Sequence, residues 1–408
     1  MLCKRRGFND FHSVDLEEGL HCVTRQEGGK TSIKTYIHIL YYSDLSNTEP
    51  LIKGYCTMFW DRRSGLADLR KDYVLDKFVI VPRISGVQYE SYTSFDDKCA
   101  YCPGNESMTE PALLALVAKD NMLQRLSDSE ENPIADWCVR VFESSDPAVT
   151  TTSTNSYTDK PLYSEPAYGY HLIVVASPHH KEKLSQISID QWANVLLVIQ
   201  DRVRWLYTKK SVTYVSIFVN SGQIAGTRVD HPHLNLVTFS TIPPTIELEA
   251  DASHRYMNEN GNCHACAIIS IESNGPRQIL STDSFLAFSP WAATYPYEFW
   301  IYPKRHTTAF SRITQKELSD LALMLRATLG GMSKALDEAA FNLVFHLSPE
   351  KKNSRQIHWH IEVYPQLNTW SGLERGFGVY LNHVQPEKAA EVLGSACRKE
   401  LAGLVGII

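Results

Sequence analysis

The chain has 408 residues, 43% hydrophobic and 21% charged, which is globular composition with room for two or three domains. A net charge of −6 and a pI near 6.2 argue against a nucleic-acid-binding surface at the scale of the whole protein. No apolar run reaches membrane-spanning length and no apolar core follows the basic start MLCKRR, so no membrane partner or secretion signal is expected and the chain is placed in the cytoplasm.

Residues 1–65 carry few signals. KTYIHILYYSD, Lys34 to Asp44, alternates enough for a strand, and the stretch reads as an extension of unclear role. From Leu69 the text LRKDYVLDKFVIVPR contains a short β-rich run, Phe78 to Val81. Arg83 follows it, where a strand end could offer a guanidinium to phosphate. A plain surface arginine is the simpler reading of that residue alone.

Cys99 and Cys102, followed by Pro103-Gly104, form a zinc half-site, because two thiolates three residues apart can reach one tetrahedral ion. A thioredoxin-like redox pair would want a helix directly after a strand, and Pro103-Gly104 argues against it. Pro111 to Leu126 is helical in period. VRVFESSDPAV, Val139 to Val149, is a strand running into a turn, and Thr150 to Tyr168 reads as a long loop. GYHLIVVASPHH is a buried strand ending at His180. Ser188 to Gln191 is a capping box that opens a helix with Trp192, Val195, Leu196, Ile199 and Val203 on one face.

Next comes SIFVNSGQIAGTRVDHPHLNLVTFS, Ser216 to Ser240: strand, glycine-containing turn, strand. Alternate strand residues share a face, so His231, His233 and Asn235 should point together. They lie beside a loop holding Asn220, Ser221, Gly222 and Gly226. Backbone amides of such a loop can cradle phosphate, and an imidazole can attack phosphorus or bind metal. Taken alone, HPH is equally an ordinary strand with two satisfied histidines.

The order then recurs. Cys263 and Cys266 form a second CxxC, EFWIYPKRH ends at His306, and Thr314 to Glu317 is a second capping box. A helix with Leu318, Leu321, Leu325 and Thr328 on its face follows, and then IHWHIEVYP with His358 and His360. His180 to Ser188 and His306 to Thr314 both span 8 residues; His180 to His231 spans 51 and His306 to His358 spans 52. The agreement implies a duplicated α+β unit, an antiparallel sheet with a packed helix. The halves are 66–245 and 246–408. Two closed Cys2His2 sites follow: Cys99, Cys102, His180 and His231, and Cys263, Cys266, His306 and His358. Both are expected to hold zinc structurally. A competing second site uses Glu249, His346, His358 and His360. If His231 and His358 bind metal, His233 and His360 remain. Only the first has the Asn-Ser-Gly loop before it, so His233 is the stronger catalytic candidate.

These pieces together, with CAYCPGNE, FVNSGQIAG…DHPH, PWAATYPYEFWIYPKRH and HWHIEVYP followed by GFGVYLN, resemble galactose-1-phosphate uridylyltransferase and its relative ADP-glucose phosphorylase, within the histidine-triad superfamily. The resemblance spans roughly residues 66 to 408. It implies tandem histidine-triad-like units with half-barrel antiparallel sheets, a homodimer, and exchange of a nucleoside monophosphate between a nucleotide sugar and a sugar 1-phosphate or phosphate. His233 would be the nucleophile and His231 the zinc ligand beside it. Asn220, Gly226 and Arg83 fall where the family contacts phosphates, and Ser144 and Ser145 where it touches the nucleoside. The cysteine pattern looks like the phosphorylase-type branch, with two zinc ions per chain. The family commonly has Gln two residues past the nucleophile; this chain has Asn235, the same amide one methylene shorter. A second family arginine shortly after Arg83 is replaced in the region of Gly86, and Ser221 stands at a family lysine position. A phosphorylase or hydrolase acting on nucleotide sugars or dinucleoside polyphosphates, and a non-catalytic nucleotide-binding zinc protein, are the alternatives.

Overall fold

The computed structural model describes residues 67–82, 99–119, 122–129, 132–152, 158, 161–352 and 355–406, together with two strands nearer the N-terminus. Internal contacts divide the chain into Met1–Gly65 and Leu66–Ile408. In the first unit β1 (Lys34–His38) pairs antiparallel with β2 (Tyr55–Phe59). The strand expected over Lys34 to Asp44 is present to His38, and the rest of it lies outside the described residues.

In the second unit the elements run β3 (Ala67–Lys71), β4 (Phe78–Pro82), β5 (Leu114–Lys119), β6 (Met122–Leu126), β7 (Trp137–Glu143), β8 (Ser164–Pro166), β9 (His171–Val175), α1 (Ile189–Tyr207), β10 (Tyr214–Ser221) and β11 (His233–Phe239). The chain continues through α2 (Pro244–Asn260), α3 (His264–Glu272), β12 (Gln278–Ser281), β13 (Phe285–Phe288), β14 (Phe299–Pro303), α4 (Gln315–Ala335), β15 (Phe341–His346), β16 (His360–Pro365), α5 (Gly372–Phe377) and α6 (Pro386–Leu404). Strands β4, β3 and β8 make a small sheet. The other eleven form one antiparallel sheet in the order β12-β13-β14-β16-β15-β10-β11-β9-β7-β5-β6.

That order carries the duplication. Outward from the central pair, one side runs β10, β11, β9, β7, β5 and the other β15, β16, β14, β13, β12. Both sides therefore have the same connectivity. At the seam β10 and β15 pair antiparallel, with Val219 opposite Leu343 and Asn220 opposite Asn342.

Alternation along the strands divides the apolar residues between two faces. Leu172, Val174, Leu234, Leu236, Ile217, Leu343 and Ile361 pack with α1 and α4 in one continuous core. Every side chain assigned to the α1 face is buried there, as are Leu318, Leu321, Leu325 and Thr328 of α4. Burying one such aliphatic side chain contributes about 1.5–3 kcal/mol. The intervening residues Ile173 and Val175 turn to the other face and pack with Trp137 and Phe142. His233 is register partner to Val175 and Asn235 to Ile173, and directly paired residues share a face. The HPH site therefore lies on the side of the sheet away from α1.

The helix expected over Pro111 to Leu126 is instead the hairpin β5–β6. Leu114 and Leu116 face the large core and Ala115 faces the second cluster, so β5 is apolar on both sides. The long loop of Thr150 to Tyr168 contains β8. Strand β9 ends at Val175 and leaves His180 in the turn beyond it. Thr314 makes a complete capping box with Glu317. Ser188 makes only half of one, because the Gln191 amide donates to the Cys138 and Ala176 carbonyls at 2.7 and 2.6 Å.

Candidate functional site

Cys99 and Cys102 sit in a tight turn closed by Cys102 N–H donating to Cys99 O at 3.1 Å. Their thiols face His180 and His231: Cys102 Sγ lies 3.5 Å from His180 Nδ1 and 3.6 Å from His231 Nδ1. The four ligand atoms fall within 4.8 Å of one another. His231 Nε2 lies 2.8 Å from Ser177 O. A carbonyl only accepts, so the proton is on Nε2 and Nδ1 turns a lone pair toward the thiols. Burial holds the His231 pKa near 4. Burial and the neighbouring Cys99 push the Cys102 thiol up to about 11, a balance that a divalent cation reverses. Two thiolates and two neutral imidazoles converging on one point suit a soft tetrahedral ion.

Cys263, Cys266, His306 and His358 repeat the arrangement, also within 4.8 Å. Cys263 is the N-cap of α3 and Cys266 lies in its first turn. The helix packs through Ile269 on Leu286, Phe288 and Tyr302. A third group joins Glu249, His346, His360 and Glu362. The competing site expected from Glu249, His346, His358 and His360 is thus divided: His358 goes with the cysteines, and Glu362 takes its place. His346 Nδ1 meets Glu249 Oε1 at 2.6 Å. Burial works against charge on His346, but Glu362 and Glu249 raise its pKa to about 9.

His231 and His358 both precede their strands, which begin at His233 and His360. Pro232 cannot donate to a ladder, and its carbonyl accepts from Ala176 N at 2.8 Å. His233 is buried, with Nδ1 2.7 Å from His231 O. That carbonyl fixes a hydrogen on Nδ1 and leaves the lone pair on Nε2, which has no partner among the described residues. The Tyr101 ring stands edge-on at 5.4 Å. Burial lowers the His233 pKa despite the hydrogen bond to His231, so the ring is neutral near pH 7. The equivalent His360 donates from Nδ1 to His358 O at 3.2 Å, but its Nε2 is held by Glu362 at 3.1 Å. Its attacking atom is occupied.

The loop after β10 turns at Gly222, with φ +90°; a Cβ there would stand 2.6 Å from Ala340 Cβ. The N–H groups of Ala225, Gly226 and Thr227 are used inside this turn, which removes them from a phosphate cradle. The Asn220 side chain is better placed to donate. Asn342 Nδ2 reaches Ala225 O and Asn220 Oδ1, both at 2.8 Å. The carbonyl shows that Asn342 is the donor, so Asn220 accepts with its oxygen and keeps its Nδ2 free of described acceptors. Sequence reading missed Asn342, whose signal is only its register opposite Asn220. Ser144 N–H donates to His171 O at 2.8 Å, which places the Ser144–Ser145 turn beside the start of β9. Arg83 lies outside the described residues.

A family profile described as a domain of unknown function (DUF4921) matches residues 168–401. An ADP-glucose phosphorylase from Arabidopsis thaliana is 29% identical over 347 residues, 80% of this chain and 92% of the relative. A galactose-1-phosphate uridylyltransferase from Thermotoga maritima is 30% identical over 243 residues, 57% of this chain and 76% of the relative. The chain belongs to the galactose-1-phosphate uridylyltransferase family. The fold agrees: the crystal structure of an Arabidopsis thaliana ADP-glucose phosphorylase with bound ADP-glucose superposes with a TM-score of 0.63 at 28% identity, covering 80% of this chain and 97% of that one. This is a family of enzymes. Among the described residues no helix is long and apolar enough to cross a membrane.

Proposed function

We propose that this chain is a nucleotidyltransferase that moves a nucleoside monophosphate from a nucleotide sugar to a sugar 1-phosphate, or to inorganic phosphate, through a covalent intermediate on His233. The observation that carries the reading is the His233 ring: neutral, clamped at Nδ1 by His231 O, with its Nε2 lone pair unengaged. The Nε2 lone pair attacks the α-phosphorus and forms a P–N bond. The phosphoanhydride bond breaks, and sugar 1-phosphate leaves with the electron pair. An oxygen of the acceptor phosphate then attacks the same phosphorus, and the P–N bond breaks to restore the imidazole. Splitting one exchange into two displacements is the use of a covalent nucleophile. Amide N–H groups of Asn220 and Asn235 are assigned to the non-bridging oxygens, with Arg83 and Ser221–Gly222 at the phosphates and Ser144 and Ser145 at the nucleoside.

The two Cys2His2 clusters are assigned to zinc, two ions per chain. A closed four-ligand site is structural, and it fixes His231 and with it the carbonyl that orients His233. A cytoplasmic homodimer completes the proposal. The relatives support both acceptors, since one is named a transferase and another a phosphorylase. Incubation with a panel of labelled nucleotide sugars tests the reading. One of them should leave acid-labile label on the protein, and His233→Gly should abolish it with metal content unchanged. Turnover retained by His233→Gly would remove His233 from the mechanism. Chasing the labelled protein with phosphate or with sugar 1-phosphate separates phosphorylase from transferase, and a protein that never takes label would be a nucleotide-binding zinc protein only.

A further inference from the structure

An amide next to a phosphate helps only if its NH2 side, not its oxygen, faces the anion. For Asn235 that choice is settled by a chain of groups that starts at a backbone atom of fixed polarity. The Ala148 N–H can only donate, and it lies 3.1 Å from His171 Nδ1. That nitrogen therefore holds a lone pair. In a neutral imidazole the hydrogen is then on Nε2, and Nε2 lies 3.1 Å from Asn235 Oδ1. The Asn235 oxygen is taken, and its Nδ2 has no acceptor among the described residues. His171 is opposite Val237 and Asn235 opposite Ile173 in the β9–β11 register, so both point to the face that carries His233. Asp146, Arg228 and His233 are the titratable groups around His171; burial, joined by Arg228 and His233, outweighs the Asn235 hydrogen bond and Asp146 and lowers its pKa, so the ring is neutral.

We propose that His171 is a positioning residue of the transfer reaction, locking Asn235 with its amino group toward a non-bridging oxygen of the phosphorus that His233 attacks. The reversed amide would set an oxygen against phosphate oxygens and repel the transition state. The lock suits an asparagine: its short side chain is held at the oxygen by the neighbouring strand, and only one way of facing the substrate remains.

The inference rests on the proposed role of His233, and the test separates the two. The rate of protein labelling by the nucleotide sugar would be compared for wild type, His171→Leu, Asn235→Ala and the double variant. Loss of one donor to a developing oxyanion costs about 10²-fold, which is the effect expected for Asn235→Ala. His171→Leu should lose roughly tenfold, in line with one misplaced hydrogen bond. The double variant should be no slower than Asn235→Ala alone, because His171 acts only through Asn235. A purely structural histidine would instead multiply the two losses, and that result overturns the lock. His171→Gln can accept from Ala148 and donate to Asn235, and should restore most of the rate. If His171→Leu does not fold, His171→Gln carries the test, and a rate as low as that of Asn235→Ala overturns the proposal. Absence of label on the wild type overturns the role of His233 and the lock together; label with multiplied losses overturns the lock alone.

Discussion

His233 and His360 occupy equivalent places in a duplicated unit, and what separates them is the residue two positions on. Glu362 holds His360 Nε2 at 3.1 Å, which leaves that atom no freedom to attack. Asn235 leaves His233 Nε2 alone because its oxygen is directed to His171. Attack on phosphorus needs the neutral ring, and burial lowers the His233 pKa below the ordinary imidazole value, which is about 6.5. The rate of labelling should therefore be flat from pH 8 down to about 6.5 and fall only below it. An acid limb centred above that value would contradict the assignment. The sign for stability is the same. A histidine kept neutral in the fold takes up its proton more readily when unfolded. Its contribution is present above the unfolded pKa and is lost as pH falls through the depressed folded one.

At the scale of elements, the two cysteine modules differ in what they hold. The first, through His231, places the carbonyl that clamps His233. The second, at the head of α3, fastens that helix onto Leu286, Phe288 and Tyr302. Cys102→Ser and Cys266→Ser should each lower bound zinc by one ion per chain, measured by elemental analysis, and each should lower the melting temperature. Only Cys102→Ser should also depress labelling of His233, by about tenfold or more if one orienting hydrogen bond is disturbed. Equal losses of labelling would deny the first site its orienting role. These modules were legible in sequence because CxxC and HxH spacings repeat regardless of what lies between them. The helix α1 was legible from its one apolar stripe. The hairpin β5–β6 was not: Leu114 to Val117 is buried on both faces, and an apolar run without alternation suits a buried strand or a buried helix equally. The HPH strand was read two residues too early because alternation alone takes no account of Pro232, which keeps His231 outside the ladder. Asn342 and His171 were invisible as site residues, since their parts depend on cross-strand register that no local pattern contains.

At the scale of the molecule, the two halves share one sheet and one helix layer. Strand β10 pairs with β15 at the seam, and α1 packs with α4 in the same core. Polar ties cross as well: Gln200 Nε2 donates to Ile313 O at 2.8 Å and Arg204 Nε to Ser311 O at 2.7 Å. A chain ending at residue 245 would leave β10 with an open edge carrying Ile217 and Val219, and α1 with its α4-facing side in water. Exposed apolar edges of this kind template aggregation. Residues 66–245 produced alone should therefore be poorly folded by circular dichroism and elute as aggregate, although they contain the whole first metal set and His233. The whole chain should show one cooperative transition across both halves. The same truncation removes Asn342, which holds the Asn220 amide and the Ala225 carbonyl, so even a soluble fragment should label His233 slowly. A fragment that is monomeric, well folded and labelled at the full-length rate would show that the second half contributes neither the sheet partner nor the amide that the first half needs.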